Sequence, residues 1–342
     1  MMFLNKRLAL VAAAVVLLAT ALLALALGAV SVPLPKVVAA LAGSLDASEA
    51  MTRTIILNVR LPRVLLALVA GAGLAVAGVL MQALFRNPLA EPAIIGVSAG
   101  AALGAVATIV LGATVFAGLT RALGVWTLPV AAFFGALATT LIVFTLAQRD
   151  GVLDATTMLL TGIAINALAG AMIGLLIFIA TDEQLRSLTF WNLGSLGAAN
   201  WSALAGAGPL ALVAVVTAPF LAGSLNALLL GESEALHLGV PVETVKRFAI
   251  ALAALTTGAV VAATGIIGFV GLVAPHLARL AVGPDHRLLL PLAAMLGAIL
   301  LTLADLAART LVRPAELPLG VLTALVGAPF FLYFLRRAHN SR

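Results

Sequence analysis

The sequence predicts an all-α membrane protein of about ten transmembrane helices, organised as a single domain over residues 1–342. Hydrophobic residues make up 63% of the chain and charged residues only 9%, whereas a soluble domain carries about 25% charged residues. Apolar runs of spanning length recur along the chain, and about 20 apolar residues cross a bilayer as a helix. The 31 glycines favour tight packing, because small residues let transmembrane backbones approach closely. A chain of this composition must lie largely in lipid.

Ten apolar runs separated by polar breaks give the predicted helices. Lys6 and Arg7 precede the first apolar run. A signal peptide also has basic residues before its apolar core. That core is only about 7–15 residues long, so we predict a retained first helix, with a signal peptide as the alternative. The predicted spans are residues 8–32, 62–84, 93–114, 126–147, 156–180, 202–223, 247–269, a short one at 271–283, 288–308 and 317–335.

The orientation follows from the loops. An even number of spans puts both termini on one side of the membrane, and the positive-inside rule favours the cytoplasm by a small margin. The margin is small because several arginines fall in the opposite loops. Arginine pairs well with carboxylates, so an acidic partner that docks outside would explain them. Stray arginines in short loops are the alternative.

Several kinds of function are excluded. The chain has no cysteine, and therefore no disulfide or thiolate metal site. It contains neither a G-x-x-x-x-G-K-[ST] nucleotide-binding loop nor an H-E-x-x-H motif. Its net charge of +6 is spread over short loops, which does not suggest nucleic acid as a partner. We expect no catalytic residue, no metal site and no cofactor bound by this chain.

A polar elbow, QALFRNPLAEP, joins the second and third apolar runs. Pro88 and Pro92 fix φ and remove backbone donors, so the elbow cannot be one continuous helix. Lipid does not tolerate unpaired backbone groups, and the elbow must therefore lie at the interface, within protein or along a water-filled path. An ordinary helix connector is the alternative.

A second polar segment, GESEALHLG, lies in the longest loop on the cytoplasmic side. Glu232 is suited to a helix N-terminus, where negative charge is favoured, and Gly239 followed by Pro241 is a plausible helix stop. We predict a short amphipathic helix outside the membrane. It is either an interfacial helix or the segment that a cytoplasmic motor protein grips.

Four blocks of sequence resemble one known family. The blocks are RLPRVLLALVAGAGLAVAGVLMQALFRNPLAEPAIIGVSAGAALG, LLLGESEALHLGV, GIIGFVGLVAPHLARLAVGPDHRLLLP followed by LTLADLAAR, and ELPLGVLTALVGAPFFLYFLRR. In this order and spacing they resemble the FecCD-type permeases, the membrane subunits of iron-chelate and vitamin B12 ABC importers. The resemblance runs from about Arg60 to the C-terminus, while the first span matches only in kind.

The resemblance implies a cobalamin-permease-like fold of an ABC importer of type II, in the bacterial inner membrane with both termini cytoplasmic. The implied partners are a second copy of the chain, two cytoplasmic ATPase subunits and a periplasmic substrate-binding protein, besides membrane lipid. ATP and Mg²⁺ would bind to the separate ATPase chains, so this chain would be no enzyme.

Docking of the binding protein is the first residue-level role that the resemblance implies. Arg60, Arg63 and Arg309 match outward arginines that pair with glutamates of the binding protein. Arg313 lies one helical turn beyond Arg309 and is an alternative to it.

Two cytoplasmic roles are also implied. The residues that match the cytoplasmic gate loop are Asn87, Pro88 and Leu89. The segment at about 231–240 matches the coupling helix that docks in the ATPase, through Gly231, Glu232, Glu234, Leu238 and Gly239.

The loop after the fifth span, TDEQLRSLTFWNLGSLGAANW, bears on the substrate. Its LRxLTFWxxGSLG pattern resembles the haem-importing members, which implies import of haem. Arg186 would meet a haem propionate on the translocation path, and the ring would contact Phe190, Trp191 and Trp201. The alternatives are an interfacial aromatic belt and an ion pair of Arg186 with Asp182 or Glu183.

Other functions stay open beside haem import. A permease for a ferric siderophore or cobalamin would differ only in residues of the entrance and path. An ion-coupled secondary carrier is a further alternative, but such carriers usually place Asp, Glu or His inside the membrane. Asp305 is the nearest such residue, close to the outer end of its span. His276, in APHLAR, is expected to form a hydrogen bond at a helix end rather than to ligate iron.

Overall fold

The computed structural model describes residues 6–149, 151–312 and 314–339, and it is built almost entirely of helices. The one pair of strands in this part of the chain is an antiparallel hairpin of β1 (Gln148–Arg149) and β2 (Val152–Leu153). The α-helices are α1 (Lys6–Ala26), α2 (Leu34–Leu41), α3 (Ala50–Thr54), α4 (Leu61–Leu84), α5 (Val97–Leu111), α6 (Ala117–Leu123), α7 (Thr127–Leu146), α8 (Ala155–Phe178), α9 (Asp182–Asn192), α10 (Trp201–Thr217), α11 (Ala222–Leu228), α12 (Glu232–His237), α13 (Val242–Thr264), α14 (Val270–Val282), α15 (His286–Ala308) and α16 (Leu319–His339).

The number of long and short apolar helices in the described residues agrees with the ten predicted spans. Seven described helices are long and apolar enough to cross a bilayer, and three shorter apolar helices accompany them, which makes ten. The long ones are Lys6–Ala26, Ala50–Leu84, Ala117–Leu146, Ala155–Phe178, Trp201–Leu228, Val242–Thr264 and His286–Ala308. The shorter ones are Val97–Leu111, Val270–Val282 and Leu319–Phe330. The all-α membrane fold is thus confirmed.

Several predicted boundaries differ from the structure, and the first two helices show why. The first helix ends at Ala26 rather than at residue 32, and the chain then turns before α2 begins at Leu34, directly after Pro33. The second helix begins at Ala50 rather than at residue 62, because α3 and α4 are joined without a break by a π-helical turn at Ile55–Arg60. Hydropathy locates only the part of a helix that lies in lipid. The helix Ala50–Leu84 continues past its apolar run into a more polar stretch, so the apolar run alone placed its start too late.

Helix α4 forms the centre of the bundle. It packs against α10, α13, α14 and α15, while α5 packs against α7 and α8. The helix Ala50–Leu84 buries 78% of the residues in its most apolar stretch, whereas α8 buries only 11% of the residues in its own. The side chains of α8 therefore face outward from this chain, towards lipid or a partner.

Glycines bring the central helices together, as the composition predicted. A Cβ atom added at Gly71 would overlap the carbonyl oxygen of Gly297 on α15, and one added at Gly78 would overlap that of Gly271 on α14. Only the absence of side chains at these positions allows α4 to contact both neighbours backbone to backbone.

Candidate functional site

The residues with predicted roles lie at two opposite ends of the bundle. Arg63 begins α4 at one end, which we call the arginine end, and Leu84 ends it at the other, on the order of 30 Å away. Helix α9 also lies at the arginine end. Glu316 binds Arg63, and three residues later the backbone N–H of Leu319 donates to the carbonyl oxygen of Gly194, just after α9 ends. Helix α12 lies at the opposite end, which we call the α12 end.

Arg63 is the centre of an ion-pair network at the arginine end. Its Nη2 lies 2.9 Å from Oδ1 of Asp305, and its Nη1 and Nη2 each lie 2.9 Å from an oxygen of Glu316. This bidentate geometry gives strong charge-assisted hydrogen bonds. The Arg63 guanidinium lowers the pKa of Glu316, in the loop after α15, below its usual value. The carboxylate is therefore ionised at neutral pH.

Arg60 and Arg309 bind the C-terminal end of α1. Arg60 Nη1 donates to the carbonyl oxygens of Leu25 and Ala26 over 2.7 and 2.9 Å, and Arg309 Nη2 donates to that of Ala24. The last carbonyl groups of a helix lack partners within it, and the negative end of the helix dipole favours cations. The two arginines therefore cap α1 and attach it to α4 and α15.

The structure thus brings the three predicted docking arginines together, in a buried network. Arg60, Arg63 and Arg309 are all less than 10% exposed, and each already binds carbonyl or carboxylate groups of this chain. Docking of a partner glutamate on them stays a prediction. The alternative residue, Arg313, lies outside the described residues. The sequence did not identify Glu316 as a partner of Arg63, because nothing local connects residues so far apart.

Helix α9 carries the predicted substrate loop. Arg186 and Phe190 are both exposed, and residues four apart lie on the same face of a helix. Within the described part of the chain, no ion pair joins Arg186 to Asp182 or Glu183. The Arg186 guanidinium and the Phe190 ring are thus open to solvent, side by side.

The two tryptophans of this region are placed differently. Trp191 is half-buried, with its carbonyl group against Gly265. Trp201 is exposed in part, but its indole Nε1 donates to the carbonyl oxygen of Leu57 over 3.1 Å. Both tryptophans are thus in contact with other segments of this chain, and their contact with a substrate ring stays a prediction.

The predicted coupling segment forms a short helix at the α12 end. Gly231, with φ of +118°, precedes α12, and Gly239, with φ of +79°, follows it. Such backbone conformations favour glycine, so the two glycines set the start and the stop, as predicted. Glu234 is exposed, and Leu236 and Leu238 expose more than half of their surface. An amphipathic segment therefore projects from the bundle.

A buried lysine, which sequence reasoning missed, lies at the base of α12. Lys246 Nζ lies 2.8 Å from Glu232 Oε2 and 2.8 Å from Glu243 Oε1, and it donates to the carbonyl oxygen of Leu153 over 2.9 Å. The Lys246 side chain is only 2% exposed. Glu232 therefore begins α12 as predicted, but its carboxylate also holds a buried ammonium group.

The elbow between α4 and α5 is broken as predicted. Asn87 Oδ1 accepts a hydrogen bond of 2.9 Å from the backbone N–H of Leu89, a local turn that competes with helix formation. Asn87 and Pro88 are exposed and Leu89 is half-buried. A Cβ at Gly231 would lie 3.9 Å from Arg86 Nη1, so the elbow adjoins the start of α12. The gate role of these residues stays a prediction.

The elbow also reaches into the bundle. Glu91 Oε1 accepts a hydrogen bond of 3.2 Å from the backbone N–H of Phe269, at the start of α14. Phe269 has φ of +67°, an unusual conformation for a bulky residue. The elbow therefore supports a strained backbone turn between α13 and α14.

No cluster of metal-ligating side chains accompanies these features in the described residues. Within residues 6–149, 151–312 and 314–339, no three His, Cys, Asp or Glu side chains are placed to hold a metal ion. Residues 96–100 read GVSAG and fit the G-x-S-x-G pattern of hydrolases. However, Ser98 is the second residue of α5, after a 3₁₀ turn at Pro92–Ile95, and not on the strand-to-helix turn that such hydrolases require.

The model of the FecCD transport family matches residues 16–337, nearly the whole chain. The chain belongs to the FecCD transport family. This FecCD chain is 50% identical to the hemin transport system permease protein HmuU of Yersinia pestis, over 84% of both chains. It is 41% identical to the cobalamin import system permease protein BtuC of Halobacterium salinarum, over 89% of this chain and 79% of the relative.

A solved structure agrees with the fold of the FecCD chain. The structure is described as an inward-facing conformation of a transporter assigned to the metal-chelate ABC type. It superposes with a TM-score of 0.84 at 34% identity, over 96% of this chain and 98% of the other. The predicted fold of an ABC importer permease is thereby confirmed. The FecCD chain is a multi-pass membrane transport subunit, and ATP hydrolysis belongs to a separate subunit.

Proposed function

We propose that this chain is the membrane-spanning permease subunit of an ATP-driven, binding-protein-dependent importer of haem across the bacterial inner membrane. The observation that carries the proposal is the 50% identity to a hemin permease over 84% of both chains. The identity to the cobalamin permease of Halobacterium salinarum is lower, at 41%. Haem is the substrate here and not a resident cofactor.

The exposed face of α9 supports a haem substrate. Haem offers two propionates and a flat apolar ring. A guanidinium pairs well with a carboxylate, and Phe190 offers an apolar ring one helical turn from Arg186. Both groups lie at the arginine end, where a binding protein would deliver the substrate.

A cobalamin or ferric siderophore importer is the second candidate. The 41% identity to a cobalamin permease favours it, and the mechanism would be the same. An ion-coupled carrier has less support. The carboxylate nearest to a span interior, Asp305, is buried and paired with Arg63 and Arg309, so it is not free to bind a coupling ion.

The proposed partners match the surfaces that each end offers. The exposed leucines of α12, Leu236 and Leu238, suit the groove of a cytoplasmic ATPase, of which two copies would hold ATP and Mg²⁺. A second copy of this chain would cover α8, whose side chains face outward. The periplasmic binding protein would dock at the arginine end, on Arg60, Arg63 and Arg309. That docking requires the network to open, because all three are buried.

The same arrangement supports the proposal that the termini are cytoplasmic, through the place where α1 starts. The pKa of Asp285 is lowered chiefly by the hydrogen bond from Asn226, and the charge of Lys6 adds to this lowering. Lys6 therefore lies near Asp285. Asn226 is in α11, directly before α12, so the first helix starts at the α12 end. If α12 meets the ATPase in the cytoplasm, α1 starts there too.

The proposed mechanism needs no covalent chemistry. ATP binding moves the ATPases and, with them, α12. The helix bundles of the two copies then rock as rigid bodies between outward-open and inward-open states. Haem passes between the two copies, along a path that includes the elbow at Asn87, Pro88 and Leu89.

The test is uptake into liposomes that contain this chain and its ATPase, with the binding protein added outside. Haemin, a ferric siderophore and cobalamin are offered in parallel, and a hydrolysis-deficient ATPase is the control. We expect ATP-dependent uptake of haemin alone. Uptake of another chelate in its place would overturn the substrate and keep the importer, whereas uptake without a working ATPase would overturn the importer itself.

A further inference from the structure

We infer that Lys246 is a positioning residue for transport, which fastens α12 to α13 and to the hairpin of β1 and β2. The inference rests on the proposed function, since it assigns to one residue the transmission of movement from α12 into the membrane. Neither composition nor motif pointed to this lysine. The structure places it where α12, its own helix α13 and the hairpin, which is distant in sequence, meet.

The bonds of Lys246 are saturated by three different segments. An ammonium group has three N–H donors and no acceptor. One bond goes to Glu232 on α12, one to Glu243 on α13 and one to the carbonyl oxygen of Leu153 in the hairpin. No donor is left over, so α12 cannot shift relative to the hairpin without breaking one of these bonds.

Glu243 closes the arrangement into a ring. Its second oxygen, Oε2, accepts a hydrogen bond of 2.9 Å from the backbone N–H of Leu153. Leu153 is thus held through its carbonyl group by Lys246 and through its N–H by Glu243. Arg247 adds a bond to the carbonyl oxygen of Gly151 in the same hairpin.

Burial makes this connection rigid. Lys246 is 2% exposed, while the side chains of Glu232 and Glu243 are 35% and 31% exposed. A buried ammonium requires its partners, because an unpaired buried charge is costly. The two glutamates can still be hydrated if the lysine is lost, so removal of Lys246 would loosen the connection without leaving a buried charge behind.

The hairpin of β1 and β2 links the Lys246 contacts to α7 and α8. It joins α7 to α8, and α8 is the long helix whose side chains face away from this chain. Helix α13 packs against α4, α7 and α10. A displacement of α12 would therefore pass at one point to the central helices and to the outward-facing helix α8.

The first experiment compares Lys246→Met with Arg287→Met in the assembled transporter. Arg287 is exposed at the same end, next to the Asp285 that binds Asn226, so its replacement removes an equal charge without touching the connection. We expect Lys246→Met to retain ATPase binding and at least half of the ATP turnover, while transport falls at least fivefold. Arg287→Met should keep the wild-type ratio of ATP hydrolysed to substrate imported.

A second measurement separates transmission from stability. The chain has no cysteine, so spin labels at the exposed positions Ser233→Cys and Val152→Cys report the position of α12 relative to the hairpin by electron paramagnetic resonance. ATP binding should leave this distance distribution narrow in the wild type and broaden it in Lys246→Met. If Lys246→Met does not fold, Glu232→Ala, which removes only the α12 bond, is expected to give the same broadening and the same rise in ATP used per substrate.

The outcomes are distinct from those of the uptake test. Normal transport by Lys246→Met, or by Glu232→Ala, would overturn the inference and leave the proposed function intact. An unchanged distance distribution would overturn it as well. A wild-type transporter that imports no chelate would overturn the proposed function, while the spin-label comparison still tests the mechanical connection.

Discussion

Arg63 of α4 and Asp305 of α15 form an ion pair that is almost fully buried, with side chains 10% and 2% exposed. The shortest distance is 2.9 Å, from Arg63 Nη2 to Asp305 Oδ1, and Asp305 Oδ2 also lies 3.4 Å from Nε of Arg309. One carboxylate thus balances two guanidinium groups. Since Arg309 also binds the end of α1, Asp305 holds three helix ends in register.

Replacement of Asp305 is therefore expected to destabilise the protein strongly. Asp305→Asn leaves the buried Arg309 guanidinium without a carboxylate partner and leaves Arg63 with Glu316 alone, which costs about 3–5 kcal/mol in the free energy of unfolding. The measurement is denaturant or thermal unfolding in detergent micelles. The matched control is Glu49→Gln, which breaks the partly exposed pair with Lys36 and should cost less than about 1 kcal/mol. Equal losses in the two variants would contradict the role of Asp305.

The pairing of Glu316 with Arg63 should make a small part of the stability depend on pH. Its pKa is lowered chiefly by the hydrogen bonds from Arg63, so the folded state favours the ionised carboxylate. The stabilisation is then present at neutral pH and is lost as the pH falls through the lowered pKa. The side chain is 43% exposed, which limits the effect to about 1 kcal/mol.

The measurement compares the wild type with Glu316→Gln by thermal unfolding at several pH values between about 7 and 3. The wild type should be the more stable at neutral pH, and the difference should disappear towards the acidic end. A difference that grows on acidification would show that the sign is wrong.

The sequence predicted local and periodic features well. The break at Pro88 and Pro92 follows from proline geometry, and the limits of α12 follow from Gly231 and Gly239. The ten spans follow from the length of apolar runs. Each of these features depends on residues that are neighbours in the chain.

Long-range pairing was beyond the sequence. Arg63 and Asp305 are 242 residues apart, and Lys246 binds Leu153 across 93 residues, so no local pattern marks either contact. An arginine at the end of an apolar run looks like a surface residue until its buried carboxylate is located. For this reason the docking prediction named three arginines without their internal partners.

The glycine contact between α4 and α15 predicts a sharp steric effect. In Gly297→Val the new Cβ would overlap the carbonyl oxygen of Gly71, so the helices must separate. Overpacking of this kind typically costs about 1–3 kcal/mol or more. The yield of folded protein and its unfolding temperature in detergent are the measurements. Gly223→Ala on α11, where an added Cβ meets nothing within 4 Å, should be neutral. Similar losses in both would exclude the packing explanation.

Arg186 is expected to affect uptake of haem and not assembly. An exposed ion pair contributes about 0.2–1 kcal/mol, so Arg186→Ala should reduce haemin uptake at limiting substrate by about 1.4-fold to fivefold. Arg121→Ala is the control, because Arg121 is also an exposed arginine near α9. It follows α5, and the carbonyl oxygen of Val110 in α5 accepts a hydrogen bond from Gln184 of α9. Uptake unchanged in Arg186→Ala would leave the substrate contact to other residues.

Glu316 should also decide whether the buried arginines can receive a binding protein. It occupies Arg63 with both carboxylate oxygens, as a partner glutamate would, and it is the most exposed member of the network. If docking uses Arg63, Glu316→Gln removes an internal competitor, and the affinity for the binding protein should rise by about twofold to fivefold. Affinity is measured by biolayer interferometry on transporter in nanodiscs, at low and high salt. Glu49→Gln, at the partly exposed pair with Lys36, should change nothing. If Glu316→Gln leaves the affinity unchanged, the binding protein docks on residues other than Arg63.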